Sequence, residues 1–149
     1  NAGHIDAAGV EADASGAWGD ALHWRAALDY THARVGGDDD APQLTGLRPA
    51  QTPRWSATAG VSWAAWRGGL FSADARYESA RFDDDLNTRR LGPATTLDLR
   101  FEQDVAAPFS LFVALDNALD ADVQTGEASD GVALYGPPRT LRVGLRARR

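Results

Sequence analysis

Hydrophobic and polar residues alternate along most of the chain. Between residues 22 and 34, for example, Leu22, Trp24 and Leu28 fall on one side of a two-residue repeat, and Arg25 and Asp29 fall on the other. A period of two is that of a β-strand, whereas a helix repeats every 3.6 residues. The pattern therefore predicts an all-β chain, an antiparallel meander of about seven long strands. The alternating segments are residues 8–15, 22–34, 54–63, 71–78, 97–102, 109–116 and 141–146.

The connections between these segments differ in length in a regular way. Short, turn-like links alternate strictly with long loops, in the order 16–20, 36–53, 65–69, 80–93, 104–108 and 117–138. All tight turns would then lie at one end of the sheet and all long loops at the other. Outer-membrane barrels have this asymmetry, with short periplasmic turns and longer external loops. The order favours part of a transmembrane β-barrel over a soluble sandwich.

Aromatic residues on the apolar side of the strands cluster near the strand ends, and alanine, leucine and valine occupy the middles. Two aromatic girdles around an aliphatic band are typical of membrane-spanning proteins, because aromatic rings favour the lipid–water interface. The alternative is that the same residues form the core of a soluble β-sandwich that serves as a binding module. The predicted interface aromatics are Trp24, Trp63, Phe71, Phe101 and Phe109 at the turn end, and Tyr30, Trp55 and Tyr77 at the loop end.

Composition narrows the class of protein further. The net charge of −6 argues against a nucleic-acid partner, since phosphate binding requires clustered positive charge. The chain has no cysteine, which excludes a disulfide framework and a thiolate zinc site. Without a run of about eighteen apolar residues, a membrane protein of this sequence would have to cross the bilayer with strands. An odd strand number does not close a bacterial barrel, so we expect further strands before Asn1.

Several motifs resemble those of TonB-dependent outer-membrane receptors. Residues 116–120 resemble the Asn-Leu-Phe-Asp type motif that ends the penultimate strand, and residues 135–140 match the Gly-x-Pro-Arg-Thr segment before the last strand. That last strand would run from Arg139 to Arg149. Residues 44–53 resemble an external loop, and residues 77–87 resemble the following strand and loop. The resemblance covers essentially residues 1–149, as the carboxy-terminal segment of a receptor barrel that lacks its plug domain and remaining strands.

What this resemblance implies is a barrel of about 22 strands with a plugged lumen, in the bacterial outer membrane. The implied activity is TonB-energised uptake of a bulky nutrient, such as an iron–siderophore complex or cobalamin. The implied partners are outer-membrane lipid, the receptor's own plug and, through it, the TonB energy-coupling complex; no cofactor is implied. A passive porin or adhesin barrel is the alternative within the same membrane. Barrels of this kind commonly end in an aromatic residue, whereas this chain ends in Arg149.

Charged residues on the polar side of the strands are the candidate lumen residues. They would line a polar wall and meet the plug, with opposite charges on neighbouring strands offsetting one another. The alternative is that they are only the solvated interior of the barrel. The candidates are Glu11, Asp13, Arg25, Asp29, Asp74, Arg76, Glu78, Asp98, Arg100, Glu102, Arg142 and Arg146.

Metal binding has weaker support. Two acidic runs fall in predicted loops, and a hard cation such as calcium favours several carboxylate oxygens on a flexible segment. The spacing of an EF-hand is missing, and acidic loop runs are usually just hydrated. The candidates are Asp38, Asp39, Asp40, Asp83, Asp84 and Asp85.

Catalysis is the competing functional class. His23 and Ser62 would both face inward on adjacent strands, as a serine and histidine set requires. No nucleophile elbow and no oxyanion glycine pattern accompanies them in the sequence. We therefore expect no enzymatic activity.

Overall fold

A computed structural model describes residues 3–39 and 41–147 of the chain. Asp40, one of the candidate metal ligands, and Arg149, the last residue of the predicted terminal strand, lie outside the described residues. Within them, no helix is long and apolar enough to cross a membrane. The strands are β1 (His4–Trp18), β2 (Leu22–Gly36), β3 (Trp55–Trp66), β4 (Gly69–Glu78), β5 (Arg81–Phe82), β6 (Arg90–Leu91), β7 (Ala94–Ala106), β8 (Phe109–Asp116), β9 (Gln124–Glu127), β10 (Ala133–Tyr135) and β11 (Thr140–Ala147).

Seven of these strands form one continuous sheet. Its order is β1-β2-β3-β4-β7-β8-β11, and each strand pairs antiparallel with its neighbours. Each long strand therefore lies beside the long strand that precedes it in the chain, as a meander requires. The predicted fold class is confirmed, and the weakly patterned first segment is a full strand of 15 residues.

The tight turns are shorter than the sequence predicted. Trp18 pairs with Leu22, so the first turn holds only residues 19–21, with Gly19 at a φ of 62°. At the second turn Trp66 pairs with Gly69, after a bulge that leaves Ala65 as an extra residue. Bulges of this kind bend and twist the bulged strand. The apolar alternation stops before the strands do, because small and polar residues at the turn end remain in the ladder.

The long loops contain structure that the alternation did not predict. Strands β5 and β6 form a short hairpin within the loop between β4 and β7, and β9 and β10 form another between β8 and β11. In the loop after β2, Thr45 and Gly46 adopt φ values of −58° and +81° in a type II turn. Gly46 N–H then donates to Val35 O, and Val35 N–H donates to Leu47 O, which is a G1 bulge. Glycine suits both roles at position 46, since both need positive φ.

The main sheet has two faces of different chemistry. The register places Trp63, Phe71 and Phe101 in one row across three strands near the turns, and Tyr30 beside Trp55 near the loops. The Tyr30 and Trp55 ring centroids are 4.7 Å apart. Between these rows lie mainly alanine, valine and leucine. All eight predicted interface aromatics share this side, called here the apolar face, and the twelve predicted lumen residues share the other, the polar face.

Most of the burial lies at the loop end. Val35 is 6% exposed and Leu91 is fully buried, because the long loops fold against the upper ends of the strands. The described residues place no second layer over the middle of the sheet, so large apolar side chains of inner strands, such as Trp24, Leu28 and Leu111, remain exposed. A single sheet with an exposed apolar face needs a cover for it.

Candidate functional site

The polar face is a continuous field of charged and hydroxyl side chains. In the row that crosses the middle of the sheet, Arg25, Gly60, Asp74 and Asp98 follow one another on β2, β3, β4 and β7. The next row towards the turns contains His23, Ser62, Ser72 and Arg100. All twelve sequence-predicted residues of this face alternate with apolar ones on their strands.

One ion pair on this face spans a whole strand. The Arg25 guanidinium on β2 contacts the Asp74 carboxylate on β4, passing over β3. Gly60 lies directly beneath: a Cβ atom there would stand 2.7 Å from Asp74 Oδ1 and 2.8 Å from Arg25 Nε. Such distances are too short for any side chain to be accommodated without movement. The absence of a side chain at position 60 is therefore what lets the two charges meet.

A second group of polar contacts on this face is centred on the Glu102 carboxylate; Glu102 is only 5% exposed. One carboxylate oxygen lies 3.0 Å from Arg100 Nη2 and 3.4 Å from Arg146 Nη1, and the other accepts a 3.0 Å hydrogen bond from the buried Ser110 hydroxyl. Both guanidinium groups also face the Phe112 ring, at 4.7 Å and 6.0 Å from its centroid. A buried carboxylate is tolerated here because two cations and a hydroxyl satisfy it.

The charges on this face do not pair in direct register. Residues directly opposite one another include the like-charged pairs Glu11 with Asp29 and Asp74 with Asp98. Like charges in direct register are destabilising by themselves. The cation that compensates Asp74 comes from two strands away, because Arg25 is long enough to reach over Gly60. Elsewhere the cation comes from a diagonal position. Arg142, for instance, contacts Asp116 at 2.7 Å although its register partner is Ala114.

The three long loops are held together by one polar network around Gln51. Its backbone N–H donates to Phe82 O at 2.7 Å, and its side-chain amide donates to Asp83 Oδ1 at 2.5 Å and to Thr125 O at 3.3 Å. Arg81, 7% exposed, donates from Nε to Gln51 Oε1 at 2.8 Å. These contacts join the loop before β3, the β5–β6 hairpin and the β9–β10 hairpin. We call this set of contacts the loop network.

Further contacts reinforce the loop network. Arg81 Nη2 donates to Gln124 O at 3.2 Å, and Glu127 N–H donates to Asp83 Oδ2 at 2.9 Å. On the other side, the Arg48 and Asn87 residues exchange two hydrogen bonds between backbone and side chain, at 2.9 Å and 2.8 Å. Sequence reasoning missed all of these residues except Asp83. Isolated glutamines and asparagines in a loop carry no periodic signal that could have identified them.

The acidic run in the β5–β6 hairpin is used for local hydrogen bonding. Burial raises the pKa of the Asp84 carboxyl, but hydrogen bonds from the Arg89 and Thr88 backbone N–H groups and the Thr88 hydroxyl outweigh burial and hold the pKa at about 2. Asp83 points instead to Gln51 and Glu127, while Asp85 is exposed. In the described part of the chain, no three metal-ligating side chains converge. Among residues 3–39 and 41–147, the candidate carboxylates Asp38, Asp39, Asp83, Asp84 and Asp85 are not brought together in a group of three.

The sequence of this chain was compared with models of protein families and with curated proteins. The model of the family described as TonB dependent receptor-like, beta-barrel matches residues 1–118 of this chain. No curated protein matches it.

Several solved structures share its fold. The ferric yersiniabactin uptake receptor FyuA from Yersinia pestis superposes with a TM-score of 0.88 at 24% identity, over 99% of this chain and 24% of that receptor. The siderophore receptor PiuA from Acinetobacter baumannii gives 0.81 at 16% identity, over 95% and 21%. The ferric-catecholate import receptor Fiu from E. coli K12 gives 0.73 at 18% identity, over 91% and 20%. The chain thus spans about a quarter or less of the length of these receptors.

Proposed function

Because this chain belongs to the TonB-dependent receptor-like β-barrel family of the bacterial outer membrane, we propose that it forms part of the wall and outer loops of an energised nutrient receptor. The apolar face would meet lipid and the polar face would line the lumen. The plug domain and the contact with TonB would come from parts of the receptor that this chain does not contain. The segment by itself would transport nothing.

The observation that carries this proposal is the contrast between the two ends of the sheet. One end has only tight turns, and the other has three long loops locked together through Gln51, Arg81 and Asp83. Interlocked loops present a fixed surface at the external mouth of a barrel, which is what recognition of a bulky solute requires. An open, passive pore has no need of such a surface.

The ligand we propose is an iron–siderophore complex. The structural relatives FyuA and PiuA are named as receptors for ferric yersiniabactin and siderophores, and FecA is named for ferric citrate. These likenesses support an iron chelate over cobalamin, which was the other ligand implied by the sequence. A copper transporter, OprC, shares the same fold at a TM-score of 0.69, so copper is the natural control ligand.

An uptake assay tests the proposal. The full-length receptor that contains this segment is expressed in cells without their own siderophore receptors, and accumulation of radioactive iron is followed for a panel of ferric siderophores. We expect accumulation of at least one chelate, and none after deletion of TonB. Accumulation that survives the deletion would instead identify a passive porin. A receptor found in the soluble fraction without detergent would identify a soluble β-sandwich.

We also propose that this segment has no enzymatic activity. His23 lies opposite Ser62 in the register of β2 and β3, and Asp74 lines the same shallow depression of the polar face. Asp74, however, is engaged with Arg25, which removes the acid that would orient a catalytic histidine. Hydrolysis of an ester probe that disappears in Ser62→Ala would refute this.

A further inference from the structure

The ion pair between Arg25 and Asp74 separates two depressions of the polar face. Both depressions are bounded by this pair, which meets above Gly60 on the strand between them. The depression towards the turns also contains His23, Ser62 and Ser72, and the one towards the loops contains Thr58, Arg76 and Thr96. If the pair opened, the two depressions would join along β3.

The polar side of β3 forms the floor of this path, which we call the β3 trough. None of its residues is charged or larger than threonine, whereas both neighbouring strands carry charged side chains. The trough follows β3 from the loop end of the sheet to the turn end. Its floor residues are Ser56, Thr58, Gly60, Ser62 and Ala64.

Hydrogen-bond donors in both depressions are free to bind a solute. Among the described residues, the side chains of His23, Ser62, Ser72, Thr58, Arg76 and Thr96 form no hydrogen bond or ion pair with one another or with other residues. The register sets Thr58, Arg76 and Thr96 in one row, so two hydroxyls flank one guanidinium. Hydroxyl and guanidinium groups donate to oxygen atoms, which an oxygen-rich iron chelate would present.

The polar side of β8 offers no such path. There the Phe112 ring fills the space over the last strand: a Cβ atom on Gly144 would stand 2.6 Å from Phe112 Cε1. The Arg100 and Arg146 guanidinium groups lie against the same ring. On β3, by contrast, the space over Gly60 is crossed only by two side chains that are largely exposed.

We propose that the transported solute moves along the β3 trough, and that the Arg25–Asp74 ion pair is a gate that must open to let it pass. The proposal rests on the proposed function, in which the polar face lines the lumen and the solute is an iron chelate. An ion pair between exposed side chains is weak, so a passing solute can separate the two groups. The free donors on both sides of the gate would bind the solute before and after it passes.

A reversible covalent bridge across the trough tests the gate. Arg25→Cys and Asp74→Cys are introduced together into the full-length receptor that contains this segment. The two thiols are joined on cells with a bismaleimide whose spacer contains a disulfide. Residues in register two strands apart are separated by about 10 Å, which such a reagent spans. The bridge then closes the trough at the level of Gly60, and reduction of the spacer opens it again.

The matched control is Asp13→Cys with Ala27→Cys. These two residues lie opposite one another on the polar side of β1 and β2. A bridge between them therefore lies beside the β3 trough and does not cross it. Wild type treated with the same reagent is the second control, since the segment has no cysteine of its own. Unchanged heat-modified gel migration confirms that each receptor is folded.

We expect the bridge between positions 25 and 74 to stop accumulation of radioactive iron in proportion to the bridged fraction, which mass spectrometry measures. Accumulation should return when the spacer is reduced. Binding of the chelate to cells on ice should not change, because the external loops are untouched. The unbridged double-cysteine receptor and the bridged control pair should accumulate iron, since neither closes the trough.

Full accumulation by the receptor bridged between positions 25 and 74 would overturn the proposal, because the solute would then take another path. A loss that survives reduction of the spacer, or an equal loss in the bridged control pair, would also overturn it, since either would indicate general damage to the receptor. A wild type that accumulates no chelate would instead refute the proposed function, and the gate with it. The wild-type measurement therefore distinguishes the two failures.

Discussion

Arg25 on β2 and Asp74 on β4 are joined in an ion pair that passes over the intervening strand β3 at Gly60. Pairing on a sheet face usually involves immediate neighbours, whose side chains are about 5 Å apart. Here the reach is twice as long, and a gap in the middle strand makes it possible. The pair also supplies the counter-charge for a row in which Asp74 and Asp98 face one another.

Replacing Gly60 should uncouple Arg25 from Asp74. In the wild type, a double-mutant cycle with Arg25→Gln and Asp74→Asn should give a coupling of about 0.2 to 1 kcal/mol, since both side chains are largely exposed. In a Gly60→Val background the coupling should be near zero, because valine occupies the space between the charges. Urea unfolding in lipid vesicles measures each free energy. An equal coupling in both backgrounds would mean that the pair does not depend on the gap.

A feature of the fold or of the polar face can be predicted from the sequence when it is periodic along a strand. The seven strands and the division into two faces follow from the period of two, because alternation reports which side of a sheet a residue occupies. The partner of a charge is different: Arg25 and Asp74 are 49 residues apart, and their contact depends on register and on Gly60. No pattern within one strand encodes that.

Trp66 illustrates where alternation itself fails. Counted from Trp63, it would fall on the polar face, but the bulge at Ala65 turns it to the apolar face. There its ring centroid is 5.5 Å from that of Phe101, and its indole N–H donates to Gln103 Oε1 at 2.5 Å. An extra residue in a strand reverses the side of everything beyond it. Trp66 thus joins the aromatic row near the tight turns that contains Trp63, Phe71 and Phe101. The exposed Trp18 lies at the same end of the apolar face, and neither residue was predicted to be an interface aromatic.

Removing the Gln51 side chain should loosen all three long loops at once. Gln51→Ala loses the bonds to Asp83, Thr125 and Arg81 and leaves the buried Arg81 Nε without its acceptor, at a cost of about 1 to 3 kcal/mol. Limited proteolysis of whole cells, read by mass spectrometry, should show new cuts in residues 37–54, 79–93 and 117–139. Gln124→Ala is the control, because Gln124 joins the network through its backbone carbonyl. New cuts confined to residues 37–54 would show that the loops move separately.

Acidification should open the tip of the β5–β6 hairpin through Asp84. Its folded pKa of about 2 lies below the ordinary value of 3.8, so the ionised carboxylate stabilises the folded hairpin. That contribution is complete above about pH 5 and is lost as the pH falls towards 2. Hydrogen exchange at the Thr88 and Arg89 amides, corrected for intrinsic rates, should accelerate over this range. Asp84→Ala should exchange fast at every pH, whereas the exposed Asp85→Ala should behave like wild type. A pH-independent rate in the wild type would contradict this role.

Asn117, which follows β8, should depend on both its backbone conformation and its side chain. Its φ is 49°, its backbone N–H donates to Asp98 Oδ1 at 2.8 Å, and its side-chain amide bonds both backbone groups of Ala121 and the Pro137 carbonyl. Asparagine tolerates this left-handed conformation better than most residues and ties the start of the last loop to its end. The backbone conformation and the side-chain hydrogen bonds of Asn117 thus explain why asparagine stands in the motif at residues 116–120.

Two substitutions at Asn117 separate the contributions of its side chain and its backbone. Asn117→Gly keeps the backbone conformation but loses the side-chain bonds of a residue that is nearly buried, which should cost about 1 to 3 kcal/mol. Asn117→Ala also strains φ and should cost about 1 kcal/mol more. Urea unfolding of the full-length receptor should therefore rank wild type above glycine and glycine above alanine. Equal stability of the glycine variant and the wild type would show that the side-chain bonds contribute nothing. Equal stability of the two variants would show that the positive φ is not a constraint at this position.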